Sequence, residues 1–428
     1  MRILSLLGLA AVVAAVSGAD WPQWNGPNRD GVSPEKGLLA EWPKDGPKLL
    51  WTYDKAGNGY SAPAVIGDRA YLMGARGDEE FLIALDDKGK EAWALKIGPV
   101  WDFKSNNWSR GPNGTPSVDG DRVYAVGSQG VLICADTGGK QQWRVDLAKD
   151  LGAQVTKAGG GPEKMGWGYS WSPLVDGDQL VILPGGPQGL FAGLDKKTGK
   201  VLWRSGDAKF DAAYSSPVAV DIGGVRQYVA LVQQGLVAVD GKGQVLWTAK
   251  PKRPFDDMVV DTPLYHDGLI FTTAPGNSSE VHKVTGEGGK FTAELVWSNT
   301  KLQNFHGGVV LVDGYLYGAQ DGRSWKCLDF KTGAEKWAAP RNGVGAGSLI
   351  AADGKLYLLA GKPEEEGKPG EVGLIAASPD GYKELGRFKL PMASANRKPS
   401  GGIWAHPVLA NGKLYLRDQE FVFCYQVK

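Results

Sequence analysis

Apolar and polar residues alternate along this chain in short bursts, and each burst stops at a turn rich in Asp, Asn, Gly or Lys. A period of two belongs to a strand with one face buried, and beyond the amino-terminal apolar run no stretch sustains helical spacing. One representative stretch reads Thr115 to Val118, Asp119-Gly120-Asp121, Arg122 to Val126, then Gly127-Ser128-Gln129-Gly130. It continues with Val131 to Ala135, a Gly139-Lys140 turn, and Gln141 to Trp143. Four short antiparallel strands are the prediction. The first turn recurs as Asp176-Gly177, Asp267-Gly268, Asp313-Gly314, Asp353-Gly354 and Asn411-Gly412, pairs that tolerate the positive φ of a two-residue hairpin.

The unit repeats. An apolar strand, an Asp, a Gly-Lys turn and a tryptophan end at Trp93, Trp143, Trp203 and Trp247, with looser copies at Trp297 and Trp337 and Trp51 standing before them all. Successive tryptophans lie 42, 50, 60, 44, 50 and 40 residues apart, a period that marks stacked or radial repeats. Units begin near Ser61, Thr115, Ser172, Ser216, Thr262, Gly307, Gly347 and His406, which makes eight. The seventh ends at Phe388 in place of a tryptophan, and the eighth has room for only three strands. Pro47 to Trp51 supplies the missing outer strand. Joining the two ends removes an unpaired sheet edge, so the expected fold is all-β, an eight-bladed β-propeller of four-stranded antiparallel blades closed by an N-terminal strand. Trp51, Trp93, Trp143, Trp203, Trp247, Trp297, Trp337 and Phe388 are then expected to dock each outer strand on the neighbouring blade.

Composition narrows the setting. Residues 1–19 combine Arg2, an apolar run from Ile3 to Val16 and small residues up to Ala19, the pattern of a secretory signal cleaved near Ala19-Asp20. The expected divisions are this signal, an extension over residues 20–45 and the propeller over 46–428. An exported chain, periplasmic or extracellular, follows. The 48 basic and 47 acidic residues nearly cancel, which argues against nucleic acid and anionic membrane surfaces as partners. No later segment has the apolar length of a membrane span. The 62 glycines and 16 tryptophans suit many short strands joined by tight turns. Cys134, Cys327 and Cys424 are far apart and odd in number, which offers no disulfide framework, and Cys134 and Cys327 occupy the same slot in their repeats.

The Leu-Asp-x-x-Thr-Gly-Lys-x-x-Trp unit, clearest at Leu194 to Trp203, resembles the tryptophan-docking repeat of the PQQ-type, quinoprotein dehydrogenase-like eight-bladed propellers. The resemblance runs from about Gly46 to the end. The opening Trp21-Pro22-Gln23-Trp24-Asn25-Gly26-Pro27-Asn28-Arg29-Asp30-Gly31 is similar to a signature of exported bacterial PQQ-like repeat proteins. That superfamily holds quinoprotein alcohol dehydrogenases, which use PQQ with calcium, and the propeller lipoprotein of the outer-membrane β-barrel assembly machinery. The dehydrogenases carry a vicinal Cys-Cys disulfide beside the quinone and a Glu, Asn and Asp calcium set; no two cysteines here are adjacent, and that set has no counterpart. A Cys-x-x-Cys-His haem site is absent as well.

Candidate chemistry gathers where each outer strand crosses to the next inner strand, because in a propeller these crossings surround one mouth of the channel. They carry Tyr60, Arg110, Trp171, Tyr214, Asp261, His306, Trp404 and His406, and an aromatic-lined mouth with a few polar groups is a ligand site. A hydrolytic or redox reading makes His306 or His406 a base near Asp261. With four histidines and no His-x-His or His-x-x-x-His spacing, no metal site is expected. Gly159-Gly160-Gly161 lacks the strand–turn–helix context and the Lys of a phosphate loop. The expectation is an exported, monomeric, non-catalytic propeller without cofactor, binding a protein or small ligand at the mouth. The alternatives are a periplasmic PQQ-dependent oxidoreductase and an envelope-assembly scaffold.

Overall fold

The computed structural model describes residues 19–102, 106–108, 110–155, 166–253, 258–275, 278–320, 324–362 and 367–428. Apart from Ala19, the expected secretory signal lies outside the described residues, as do residues 156–165 of the glycine-rich insert, which include Gly159-Gly160-Gly161.

Eight sheets follow one another in chain order as the blades of a β-propeller. Blades 1 to 7 occupy residues 64–99, 117–146, 174–204, 218–249, 264–299, 309–338 and 347–389. Blade 8 takes three strands from residues 408–426, and its outer strand is Lys48–Tyr53, paired antiparallel with Phe421–Gln426. The ring therefore closes by joining its two ends, and no blade is left short of a strand. Arg417 clamps this seam. Fully buried, it donates to the carbonyls of Ser61 and Met73 at 2.7 and 2.6 Å and to those of Gly57 and Gln419. The only α-helix among the described residues is Leu147–Leu151, capped by Asp146, and no helix there is long and apolar enough to cross a membrane.

The repeated tryptophan has a local cause in every blade. The outer strand carries an irregularity in its pairing just before the tryptophan, so an extra residue such as Gln142, Leu202 or Leu246 bulges out of register; in blade 7 the skipped residue is Leu385, ahead of Gly386, and Phe388 follows two residues later. A bulge twists the strand and re-aims the next side chain. Six of the seven indoles then lie over a small residue of the third strand, Ala84, Cys134, Gly193, Ala238, Cys327 or Cys424, and Trp297 lies opposite Val281. The three cysteines are thus buried small residues beneath an indole, and burial pushes their thiols up to about 12, about 11 and about 12 in chain order. On its far side the indole meets the next blade's turn. Trp51, Trp93, Trp143, Trp297 and Trp337 donate from Nε1 to Asp87, Thr137, Lys196, Phe330 and Ser378 carbonyls at 2.8–3.1 Å. The turn glycine is small because the ring rests on it: a methyl group on Gly199 would stand 2.8 Å from Trp143. Trp203 and Trp247 bond Gln179 and Gln227 of their own blades instead, and Phe388 rests on Gly46.

Two details differ from the sequence reading. At Asp176-Gly177 the turn pair is Gly177-Asp178, and only the glycine has positive φ, whereas Asp267-Gly268 and Asn411-Gly412 are positive at both residues. The extension, moreover, is not an appendage. Trp21 pairs with Val65 of blade 1, the Pro22 carbonyl accepts from Val118 of blade 2, and buried Arg29 donates to Ser172 and Pro173 carbonyls of blade 3 at 2.8 and 2.9 Å. Val32–Ser33 adds a parallel strand to the inner edge of blade 7, and Glu35 accepts from Gly412 of blade 8. Residues 20–35 therefore plug the central channel from the side of the hairpin turns.

Candidate functional site

At the opposite mouth, the crossings enclose a cavity of about 470 Å³. Its walls are mostly aromatic: Trp24, Trp108, Trp167 and Trp404 with Tyr60, Tyr214 and Phe305. Asn113, Ser170, Ser216, His306 and His406 supply the polar groups. Trp24 is the tip of the channel plug, its Nε1 donating to Thr262 Oγ1 at 2.8 Å and its ring 4.5 Å from that of His406. The floor of the cavity is thus made by the extension and its sides by the blades.

The wall is preorganised by ring contacts and by the crossings' own hydrogen bonds. His306 stacks on Trp404 with centroids 4.2 Å apart, and Tyr60 lies 5.1 Å from the same indole. Trp108 and Trp167 meet edge to face at 5.6 Å. The Tyr60 hydroxyl donates to the Trp108 carbonyl, and Tyr214 accepts from the Trp167 amide. Beneath them the serines of the crossings tie neighbouring blades together: Ser172 Oγ accepts from the Thr115 amide and Ser216 Oγ from the Ser172 amide, at 2.8 and 2.9 Å. These serines are structural ties.

Both histidines are held neutral. Burial lowers His306 to about 3, helped by the charges of His406 and Lys362, and burial lowers His406 to about 4 against its bond to His306. His406 is only 5% exposed, and its Nε2 lies 2.8 Å from the His306 carbonyl. A carbonyl only accepts, so Nε2 carries the proton and Nδ1 is a bare acceptor. Among the described residues His406 Nδ1 has no partner, and neither does Asn113 Oδ1, whose amide nitrogen donates to Ser170 Oγ at 3.1 Å. A second cavity of about 270 Å³ shares Phe305, His306 and Trp404 with the first and is bordered by Lys362.

Five of the eight expected residues, Tyr60, Tyr214, His306, Trp404 and His406, line the cavity. Three do not. Arg110 turns away to ion pairs with Asp78 and Asp102 at 2.8 and 3.2 Å. Trp171 is wholly buried in the hydrophobic core, edge-on to Tyr169. Asp261 is buried off the wall, and burial raises its carboxyl well above the usual range. No hydrogen bond or ion pair among the described residues joins Asp261 to either histidine, so the base-and-carboxylate arrangement is not formed. Trp24, Trp108, Trp167 and Asn113 were not among the expected residues. The available signal for the three indoles was that they stand outside the docking register.

The model of the family described as outer membrane protein assembly factor BamB matches residues 96–339. Among solved structures, BamB from Moraxella catarrhalis is 13% identical, with a TM-score of 0.61 over 89% of this chain and 99% of that one. The quinohemoprotein alcohol dehydrogenase of Comamonas testosteroni is 13% identical, with a TM-score of 0.61 over 95% and 80%. The quinohemoprotein alcohol dehydrogenase ADHIIG of Pseudomonas putida HK5 is 15% identical, with a TM-score of 0.61 over 96% and 80%. At these identities the likeness is one of fold. No curated protein matches the chain by sequence.

Proposed function

The chain belongs to the family described as outer membrane protein assembly factor BamB, and from that premise we propose that it is an exported, non-catalytic binding propeller that takes a small ligand in the aromatic mouth cavity. One observation carries the reading: a preformed recess of about 470 Å³, walled by four tryptophans and closed below by the channel plug. Ligand pockets have this size and this mixture of apolar wall and few polar groups. The neutral histidines serve as wall and hydrogen-bond scaffold, and among the described residues no carboxylate stands by to relay a proton to them.

The quinoprotein alternative requires PQQ with calcium. Calcium takes several oxygen ligands at once. Among the described residues no group of three His, Cys, Asp or Glu side chains comes together, and Asp261, next to the cavity-lining Val260, is buried with Oδ2 unpartnered. The described residues do not fit that cofactor. A protein partner on the same face is favoured by family membership alone.

The test is ligand-observed NMR with a library of small aromatic fragments, run on the wild type and on Trp404→Ala. Fragments that bind the wild type and lose their saturation transfer on Trp404→Ala support the reading. An absence of binders, or binders indifferent to that substitution, refutes it.

A further inference from the structure

The polar groups of the mouth cavity define the ligand more narrowly than its aromatic walls do. His406 Nδ1 and Asn113 Oδ1 are both acceptors without partners among the described residues, and both side chains line the cavity. A buried acceptor left without a donor carries a desolvation cost, which a ligand donor relieves. His406 cannot swap roles cheaply. The His306 carbonyl holds the His406 proton on Nε2, and Ser170 engages the Asn113 amide nitrogen.

Charge then divides the ligand classes. An anion is disfavoured, because lone pairs and negative aromatic faces would meet its oxygens. A cation would suit aromatic faces, yet among the described residues no carboxylate lines the cavity, and Lys362 borders the adjoining recess close enough for its charge to act on His306. What remains is an uncharged molecule with at least two donors and an apolar face. A flat phenol brings its donors only at the ring edge. A saccharide presents C–H faces to indoles while its hydroxyls point outward round the rim, and the Ser170 and Ser216 hydroxyls lie in the same wall.

We infer that the cavity binds an uncharged saccharide of one or two rings, laid against the tryptophans, with hydroxyls donating to His406 Nδ1 and Asn113 Oδ1. The inference rests on the mouth-cavity reading above and adds the ligand class to it.

Titration of the full mature chain, followed by tryptophan fluorescence and calorimetry, tests it with maltose, cellobiose and N,N′-diacetylchitobiose as neutral probes. Digalacturonic acid is the anionic arm and catechol the phenolic one. At least one neutral disaccharide is expected to saturate, with digalacturonic acid weaker by at least roughly tenfold. His406→Phe keeps a ring in the wall and removes the bare acceptor; Asn113→Leu removes the other. Each is expected to weaken binding roughly tenfold, the scale of one buried acceptor lost, while their thermal melts show them folded. Equal binding of the anionic sugar, saturation by catechol alone, or unaltered binding in both variants overturns the saccharide assignment. If aromatic fragments still bind and no sugar does, the ligand class falls and the mouth site stands. If nothing binds, both fall.

Discussion

His406 illustrates how a single ring can be both wall and reporter. Its proton sits on Nε2 and burial keeps it neutral to about 4, against an ordinary value of 6.5. Unfolding would let it take up a proton anywhere between those values, so its contribution to stability is complete above about 6.5 and is lost as pH falls toward 4. Asp261 and Glu80, whose carboxyls burial raises, the latter to about 7, have the opposite sign: they hold protons the unfolded chain would release, and they destabilise as pH rises. Urea unfolding at pH 7 and pH 5 separates the two. Relative to wild type, His406→Gln should gain about 2 kcal/mol between pH 7 and pH 5, whereas Asp261→Asn should lose ground over the same interval. A His406→Gln variant whose deficit stays constant with pH would show that the ring is not held neutral. Legibility at this scale was partial for a physical reason. An extended crossing segment alternates its side chains between mouth and core, and aromatics satisfy both, so Tyr60 and Trp404 could be placed at the mouth while Trp171, also on a crossing, faces the core. Arg110 was drawn away by Asp78, in the preceding blade's hairpin, and by Asp102 nearby on its own connection.

The docking unit is where sequence and element agree most closely, because each residue type in it answers a contact one blade away. A small third-strand residue makes room for the indole, the bulge re-aims it, and the next blade's glycine receives it. Trp143 and Gly199 form one such pair, with the Gly199 φ at +73° and no space for a β-carbon. Gly199→Ala should destabilise by about 1–3 kcal/mol through backbone strain alone, with further loss from displacing the indole. Trp143→Ala should cost about 3 kcal/mol. The double variant should cost less than the sum by about 1 kcal/mol, since removing the ring relieves the collision. Additive melting-point changes would show that the two residues do not touch. Blade number and strand count were readable because this contact repeats. The bulges were not, since a skipped residue leaves the tryptophan spacing intact, and the turn at Gly177-Asp178 slipped because Gly serves either position of a tight hairpin.

At the scale of the whole molecule, residues 20–53 do two separable jobs. Lys48–Tyr53 completes blade 8, while residues 20–35 fill the channel and bring Trp24 to the floor of the cavity. The first job was legible, because counting strands left one blade short. The second was not: a segment that touches blades 1, 2, 3, 5, 7 and 8 one contact at a time has no periodicity to betray it. Two truncations separate the jobs. Deleting residues 20–45 leaves the closing strand and should give a folded ring with a lower melting temperature. Its loss of Trp24 should open the cavity into the channel and weaken any mouth ligand. Deleting residues 20–53 also exposes the backbone edge of Phe421–Gln426 and strips the carbonyl of Gly57 from the chain segment that positions it against Arg417. That protein should aggregate or unfold without a cooperative transition, as an open sheet edge dictates. Circular dichroism melts and light scattering on the two proteins decide the matter: equal behaviour would mean that the plug, and not the shared blade, holds the ring shut.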